Sequence, residues 1–229
     1  MRLTGRVVAI TGGSAGIGRA TAEACAAEGA RVVVSARRVD LLNEVVAAIA
    51  ARGGSALAVA ADVTNDADMR ALVSRTIEAF GRIDVMVCNA GIGFHGTLDE
   101  TTPEVARRLV DVNLLGTIYA ARAAYPIFVR QGSGHIIAVS SIAGRRGVAG
   151  MSLYSATKAA QIGFIEGLRT EFLGTNLHAS IVYPVSIPTE FHTSMRRDFG
   201  HAVEGTGPRQ SAAEVAAAIV ECIVSPQAE

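Results

Sequence analysis

Three side chains between positions 141 and 158 have chemistry that can be joined: a hydroxyl at Ser141, a phenol at Tyr154 and an amine at Lys158. Tyr154 and Lys158 are four residues apart, with Ala156, Ala159 and Ala160 beside them, so the stretch predicts a helix. Positions i and i+4 share one helix face, which brings phenol and ammonium together. A free phenol has a pKa of about 10 and is a poor base near neutrality; bringing it to about 7 takes about 4 kcal/mol in favour of the anion. A unit charge at about 4 Å supplies roughly that at an effective dielectric of about 20. Lys158 is therefore expected to lower the pKa of Tyr154, which then exchanges a proton with an oxygen of a bound molecule. Ser141 lies thirteen residues upstream, just after an apolar run, and is placed to donate to the same oxygen. The same Tyr-x-x-x-Lys spacing also describes a solvated helix pair worth a few tenths of a kcal/mol. The chemistry depends on whether the rest of the chain converges on these residues.

The elements that must position them alternate from end to end. Short β-branched runs at 6–10, 31–35, 57–60, 85–88, 135–140 and 179–183 read as strands. Helical patterns at 17–28, 40–51, 66–80, 103–130, 152–173 and 212–224 separate them. Strands apolar on both faces belong to a sheet covered on both sides, so the rhythm predicts an α/β fold with a doubly wound parallel sheet in a single domain. Thr102-Pro103 is a helix start, and Pro126 is expected to kink or end that helix. Asn113, mildly unfavourable inside a helix, implies a specific bond, and Gly116 implies close packing, including packing on another subunit. The segment Val185–Gln210 is rich in turn formers and reads as a lid over the site.

The first strand runs into Thr11-Gly12-Gly13-Ser14-Ala15-Gly16-Ile17-Gly18 and then a helix. Glycines allow a tight turn and close approach to a pyrophosphate, whose charge a helix N-terminus favours. The end of the second strand separates NAD from NADP. An acid there would bond the ribose 2′-hydroxyl of NAD. The chain instead has Ser35-Ala36-Arg37-Arg38, two guanidinium groups suited to a 2′-phosphate, so NADP(H) is expected over NAD(H). Asp62-Val63 ends the third strand, where the carboxylate either bonds the adenine amino group or caps a turn. Asn89-Ala90-Gly91 ends the fourth with small residues that let backbone approach a cofactor.

With Thr11–Gly18, Asp62, Asn89-Ala90-Gly91, Asn113, Ser141, Tyr154 and Lys158 in this order, the chain from about residue 5 to 225 resembles the short-chain dehydrogenase/reductase family. The resemblance implies a Rossmann-type fold and NAD(P)-dependent interconversion of a carbonyl and an alcohol. It makes Asn113, Ser141, Tyr154 and Lys158 a tetrad. Tyr154 would be the general acid/base and Ser141 would orient the substrate oxygen. Lys158 would lower the phenol's pKa and bind the nicotinamide ribose. Asn113 would hold a water linking Lys158 to solvent. Cofactor contacts would come from Gly12, Ser14, Gly16, Ile17, Gly18, Arg37, Arg38, Asp62, Val63, Asn89, Ala90, Gly91, Tyr154 and Lys158. After the sixth strand the family has P-G-x-V-x-T, whereas this chain has Pro184-Val185-Ser186-Ile187-Pro188-Thr189. Ile187 and Thr189 match the positions that contact the nicotinamide end. Val185 replaces a glycine, and a β-branched residue resists positive φ.

The wider composition narrows the alternatives. The 21 basic and 21 acidic residues leave a formal net charge of zero, which argues against a nucleic-acid or membrane-surface role. No run reads as long enough to span a bilayer. Cys25, Cys88 and Cys222 are far apart, without metal-ligand spacing, and suit buried thiols in a reducing, cytoplasmic setting. No metal site is expected. Phe94, Val185, Phe191, Met195 and Phe199 suggest an apolar substrate pocket; His95, Arg145 and Arg146 are further pocket candidates, and Arg196, Arg197 and Arg209 read as solvent-facing. The resemblance also implies a homodimer or homotetramer through the helices at 103–130 and 152–173. Two other readings stay open: a nucleotide-sugar epimerase or dehydratase, and an NADP-binding regulatory protein with idle catalytic residues.

Overall fold

The computed structural model describes residues 1–185, 195 and 210–228. Among these, six strands form one parallel sheet: β1 (Val7–Thr11), β2 (Arg31–Ala36), β3 (Ser55–Ala60), β4 (Val85–Cys88), β5 (Gly134–Val139) and β6 (Leu177–Val182). Their spatial order is β3-β2-β1-β4-β5-β6, the doubly wound arrangement expected. Val8 sits opposite both Val32 and Val85, so β1 is central and buried along its length.

Successive strand residues point to opposite faces, and each face has its own core. Val8, Ile10, Val32, Val34, Val87 and Ile137 pack with Cys25 of α1 (Gly16–Ala27), Leu42 of α2 (Val39–Ala50) and Ile219 of the C-terminal helix (Ala212–Val224). Ala9, Val33, Met86, Ile136 and Ile181 pack with Leu72 of α3 (Asp66–Phe80), Phe128 of α5 (Gly116–Gln131) and Ile165 of α7 (Ser152–Glu171). Large aliphatic side chains on both sides of one strand are what made these runs read as covered strands.

The chain leaves β1 towards β2 and β3, then crosses back to β4. That reversal opens a crevice at the carboxyl ends of β1 and β4, where open parallel sheets take their ligands. The Gly-rich turn and the Asn89-Ala90-Gly91 segment both start there.

N-caps open three helices at the starts read from the sequence, of which Thr102 was the cap expected. Asn65 accepts from Ala67 N, Thr102 caps α4 (Pro103–Leu109) with Pro103 inside its first turn, and Ser211 with Glu214 forms a reciprocal capping box. Of the two outcomes expected at Pro126, an end to the helix does not occur: α5 continues to Gln131. The irregularity lies earlier, in a π-helical stretch, Val110–Leu115, which contains Asn113. The combined run Pro103–Gln131 is also long and apolar enough, by length and composition, to cross a bilayer, contrary to the sequence reading. Here it instead lies against α3, β4, β5 and α7. A further short helix, α6 (Ile142–Arg145), was not anticipated because four residues carry no readable period.

Candidate active site

The helix that carries Tyr154 and Lys158 delivers both side chains into the interior, at 6 % and 3 % exposure. The solvated-pair reading is thereby excluded. Lys158 Nζ lies 5.8 Å from the centre of the Tyr154 ring. It donates to the Val139 carbonyl at the end of β5 (3.0 Å) and to Gln161 Oε1 (3.1 Å). Ser141 begins α6, accepts from Ala143 N at 3.1 Å, and shares a hydrogen bond with the Tyr154 phenol.

The electrostatics reverse one expectation. Burial pushes the Tyr154 phenol up to about 12, and its bond with Ser141 offsets only part of this. Burial also brings Lys158 down to about 7. A lysine that titrates near neutrality is a weaker source of positive charge than the full cation assumed from spacing, and its donors are engaged by Val139 and Gln161. Desolvation therefore outweighs attraction for both groups. The phenol keeps its proton at neutral pH.

Asn113 is fully buried, and its side chain is bonded to protein partners. Its Oδ1 accepts from Ile92 N (2.8 Å), and its Nδ2 donates to Ile92 O (2.9 Å) and Thr157 Oγ1 (3.1 Å). These are the specific bonds that an asparagine at this position implied. They tie the segment after β4 to α7, next to Lys158. The packing implied by Gly116 is internal: a Cβ there would lie 2.8 Å from a methyl of Val63.

The Gly-rich turn fits a dinucleotide on two counts. A Cβ on Gly12 would lie 2.9 Å from Ala90 Cα, and one on Gly18 would lie 2.3 Å from the Gly12 carbonyl, so only glycine allows the turn to nest against Asn89-Ala90. Asn89 reinforces this by donating Nδ2 to the Thr11 and Gly12 carbonyls. Behind the turn, α1 begins with no side-chain cap and no acid in its first turn, which leaves its N–H groups and dipole for an anion, with Gly16, Ile17 and Gly18 supplying that turn. Ser14 is buried, and Arg38 donates to its hydroxyl at 3.2 Å, so one of the two guanidinium groups already reaches the turn. Arg37 lies 3.9 Å from Asp62. Asp62 accepts from the Thr64 amide and hydroxyl, which is the turn-capping role. Arg37, Asp62, Thr64, Arg107, Asp111 and Val112 line a charged cavity of about 350 Å³ on this side.

Ile187 and Thr189 lie outside the described residues, as do Phe191, Phe199, Arg196, Arg197, Arg209 and most of the expected lid. Val185 is described, and its backbone is unstrained: no described residue other than glycine has positive φ. Its N–H donates to Gln210 Oε1 at 3.1 Å. Phe94 packs with Leu109, Ala143 and Tyr154 in a small apolar cluster, and Met195 is buried. His95 packs against Gly150, and the Arg145 guanidinium lies 4.1 Å over the Tyr183 ring.

Sequence reading missed Thr117, Thr157 and Gln161, all buried and all bonded to the tetrad. A signal existed. Asn113 and Thr117, and Tyr154, Thr157, Lys158 and Gln161, recur at three- or four-residue spacing, a polar stripe on otherwise apolar helices. Lys158 is also the only lysine in the chain; the other 20 basic residues are arginines.

A family model described as short chain dehydrogenase matches residues 6–199. An uncharacterised oxidoreductase of Listeria monocytogenes is 40 % identical over 192 residues, covering 83 % of this chain and 77 % of the relative. A 3-oxoacyl-[acyl-carrier-protein] reductase of Synechocystis is 38 % identical over 197 residues, covering 86 % and 80 %. Among solved structures, a short-chain dehydrogenase of Burkholderia cenocepacia in complex with NADP superposes with a TM-score of 0.86 at 34 % identity, covering 100 % of this chain and 96 % of that one. One of Burkholderia phymatum in complex with NAD gives 0.89 at 28 % identity, covering 97 % and 87 %. With fold, site and likeness in agreement, the chain belongs to the short-chain dehydrogenase family. It is an NAD(P)-dependent oxidoreductase acting between CH–OH and carbonyl groups.

Proposed function

We propose that the protein reduces a ketone or aldehyde with NADPH, reversibly, using Tyr154 as the general acid. The observation that carries this is the burial of Tyr154 and Lys158 from one helix, with Ser141 hydrogen-bonded to the phenol, beside a Gly-rich turn shaped for a dinucleotide. NADPH, when bound, supplies the hydride. The chain supplies position, field and the proton. The N-terminus of α1 and the turn Gly12–Gly18 would hold the pyrophosphate. Arg38, with Arg37, would take the 2′-phosphate; Asp62 and Val63 would line the adenine, and Asn89, Ala90 and Gly91 would face the ribose. Lys158, Ile187 and Thr189 would serve the nicotinamide end.

A phenol held near 12 is protonated at neutral pH, which suits donation to a developing alkoxide. Ser141 steadies the same oxygen and stabilises the phenolate left behind. Lys158, close to the ring and titrating near 7, adds positive charge below that pH. Phe94, Val185 and Met195 support an apolar substrate, in keeping with the oxoacyl reductase among the relatives. Three buried free cysteines fit a reducing, cytoplasmic setting.

Oxidation of NADPH in the presence of a ketone panel tests the reading. Tyr154→Phe is expected to lose at least about 1000-fold in kcat, in line with removal of a proton donor, with NADPH affinity retained. Turnover that survives in this variant refutes the assignment. Affinities for NADPH and NADH, measured side by side, decide the cofactor, and tighter binding of NADH overturns the arginine argument. We further propose assembly as a homodimer or homotetramer through the outer faces of α5 and α7. Ile118, Ala121, Tyr125, Phe164 and Leu168 line an apolar groove of about 180 Å³ there.

A further inference from the structure

The family resemblance has Asn113 hold a water that links Lys158 to solvent. In this chain the carbonyl oxygen is taken by protein. Thr117 Oγ1 donates to it at 2.9 Å, and Gln161 Nε2 donates to it at 2.7 Å. A carbonyl oxygen has two lone pairs, and these two donors use both. The same Gln161 amide turns its Oε1 to Lys158 Nζ at 3.1 Å, while its Nε2 also reaches Thr117 Oγ1 at 2.7 Å. Gln161 is fully buried, and all of its hydrogen bonds go to the π-helical stretch, α5 and Lys158.

We infer that Gln161 is a positioning residue for Lys158: its side-chain amide, rather than a water molecule, joins the ammonium to the Asn113 carbonyl. The inference rests on the carbonyl-reductase reading for its catalytic consequence but not for its geometry. An amide is polar at both ends but does not accept a proton at one and release it at the other as water does. The link therefore fixes the lysine and leaves the Asn113 carbonyl no lone pair for a bridging water. It also contributes, with the Val139 carbonyl, to the lysine's charge. A carbonyl oxygen at Nζ favours the ammonium against the desolvation that surrounds it.

Among the described residues around Nζ, Gln161 is the side chain that accepts from it, beside the backbone carbonyl of Val139. On α7, the Tyr154 ring lies 5.8 Å from Nζ. In the segment after β4, Gly91 is the near neighbour and carries no charge. In the π-helical stretch, Asn113 is neutral and Asp111 lines the charged cavity beside Arg37. On α6, Arg145 is stacked on Tyr183. From β5, the contact is the Val139 carbonyl.

The single lysine makes the test direct. In protein grown on lysine labelled with carbon-13 at Cε, one lysine resonance reports the titration of Lys158 and nothing else. Gln161→Leu keeps the bulk and removes the acceptor, so the lysine is expected to titrate about one pH unit lower, the size of one hydrogen bond to a charged group. Gln161→Glu keeps an acceptor and adds a negative charge, so its titration moves upward. In ketone reduction, kcat of Gln161→Leu should fall about tenfold at pH 8, tracking the lost ammonium, with a smaller change in KM. Unchanged lysine titration in both variants, or a shift of both in one direction, overturns the inference. If the leucine variant does not fold, the upward shift in the glutamate variant alone decides. Failure of the carbonyl-reductase reading would show as absent turnover in the unaltered protein and leave the resonance test intact.

Discussion

Tyr154 and Lys158 show how little of a pKa is set by sequence spacing alone. The four-residue interval is correct and the shared face is correct, yet burial raises the phenol to about 12 and lowers the amine to about 7. An ionisable pair taken out of water pays desolvation first, and the attraction returns only part of it. A testable cost follows. The native lysine titrates near 7 against 10.5 in the unfolded chain. Between these values the unfolded state binds more protons, so stability rises with pH across that window. The destabilisation is fully present below about 7 and gone by about 10.5. Lys158→Met should therefore be more stable than the unaltered protein at pH 6, by about 1–4 kcal/mol, while ketone reduction is lost. Denaturant unfolding at pH 6 and above pH 10 checks both the sign and the convergence. A variant less stable at pH 6 contradicts the burial argument.

At the scale of elements, the run from Pro103 to Gln131 does several jobs. Its π-helical stretch presents Asn113 to the Ile92 backbone and to Thr157, and its packing residue Gly116 accepts Val63. Helical periodicity identified the run, because a short π-helical stretch between two α-helical ones leaves nearly the same apolar pattern. The local widening was not legible, since it depends on how Asn113 and Thr117 meet α7 across space. The outer face of this run supports a prediction about assembly. Tyr125 and Val129 are 42 % and 52 % exposed, and Tyr125 stacks on Phe172 near the apolar groove between α5 and α7. Large exposed apolar residues grouped in this way mark interaction surfaces. Sedimentation of the unaltered protein should give a dimer or tetramer, and Val129→Glu should shift it towards monomer. A monomer at micromolar concentration without any substitution removes the proposal.

Across the whole molecule, β5 and β6 carry another buried titratable group, at the start of β5, whereas Ser141 follows its end. His135 is bonded to Ser180 Oγ at 2.9 Å, lies edge-on to His178, and has no partner for Nδ1. Burial, with help from His178 and Arg6, pushes it down to about 3 from 6.5. The unfolded state then takes up a proton that the native state refuses. Stability from this residue is present above pH 6.5 and is lost as pH falls towards 3, at about 1.4 kcal/mol per unit. His135→Leu should flatten the acid limb of unfolding free energy against pH by that slope. An unchanged limb would mean that the native histidine protonates freely. The cysteines behave as the sequence suggested: Cys25 and Cys88 are pushed up to about 12 by burial, and all three thiols are buried.

The sequence by itself determined the architecture, and it singled out most of the residues that the fold gathers at the candidate site. Two-sided apolar strands admit only a covered parallel sheet, and glycines at 12, 16 and 18 admit only a tight turn, because both are local or periodic constraints that every residue satisfies in place. The order β3-β2-β1-β4-β5-β6 then follows from connection rules. Tertiary structure alone decided what those residues experience. That Asn113 shares its carbonyl between Thr117 and Gln161, that Lys158 ends on Val139 and Gln161, and that Tyr154 holds its proton all depend on dielectric and on partners from distant elements. Spacing along a chain carries no record of either.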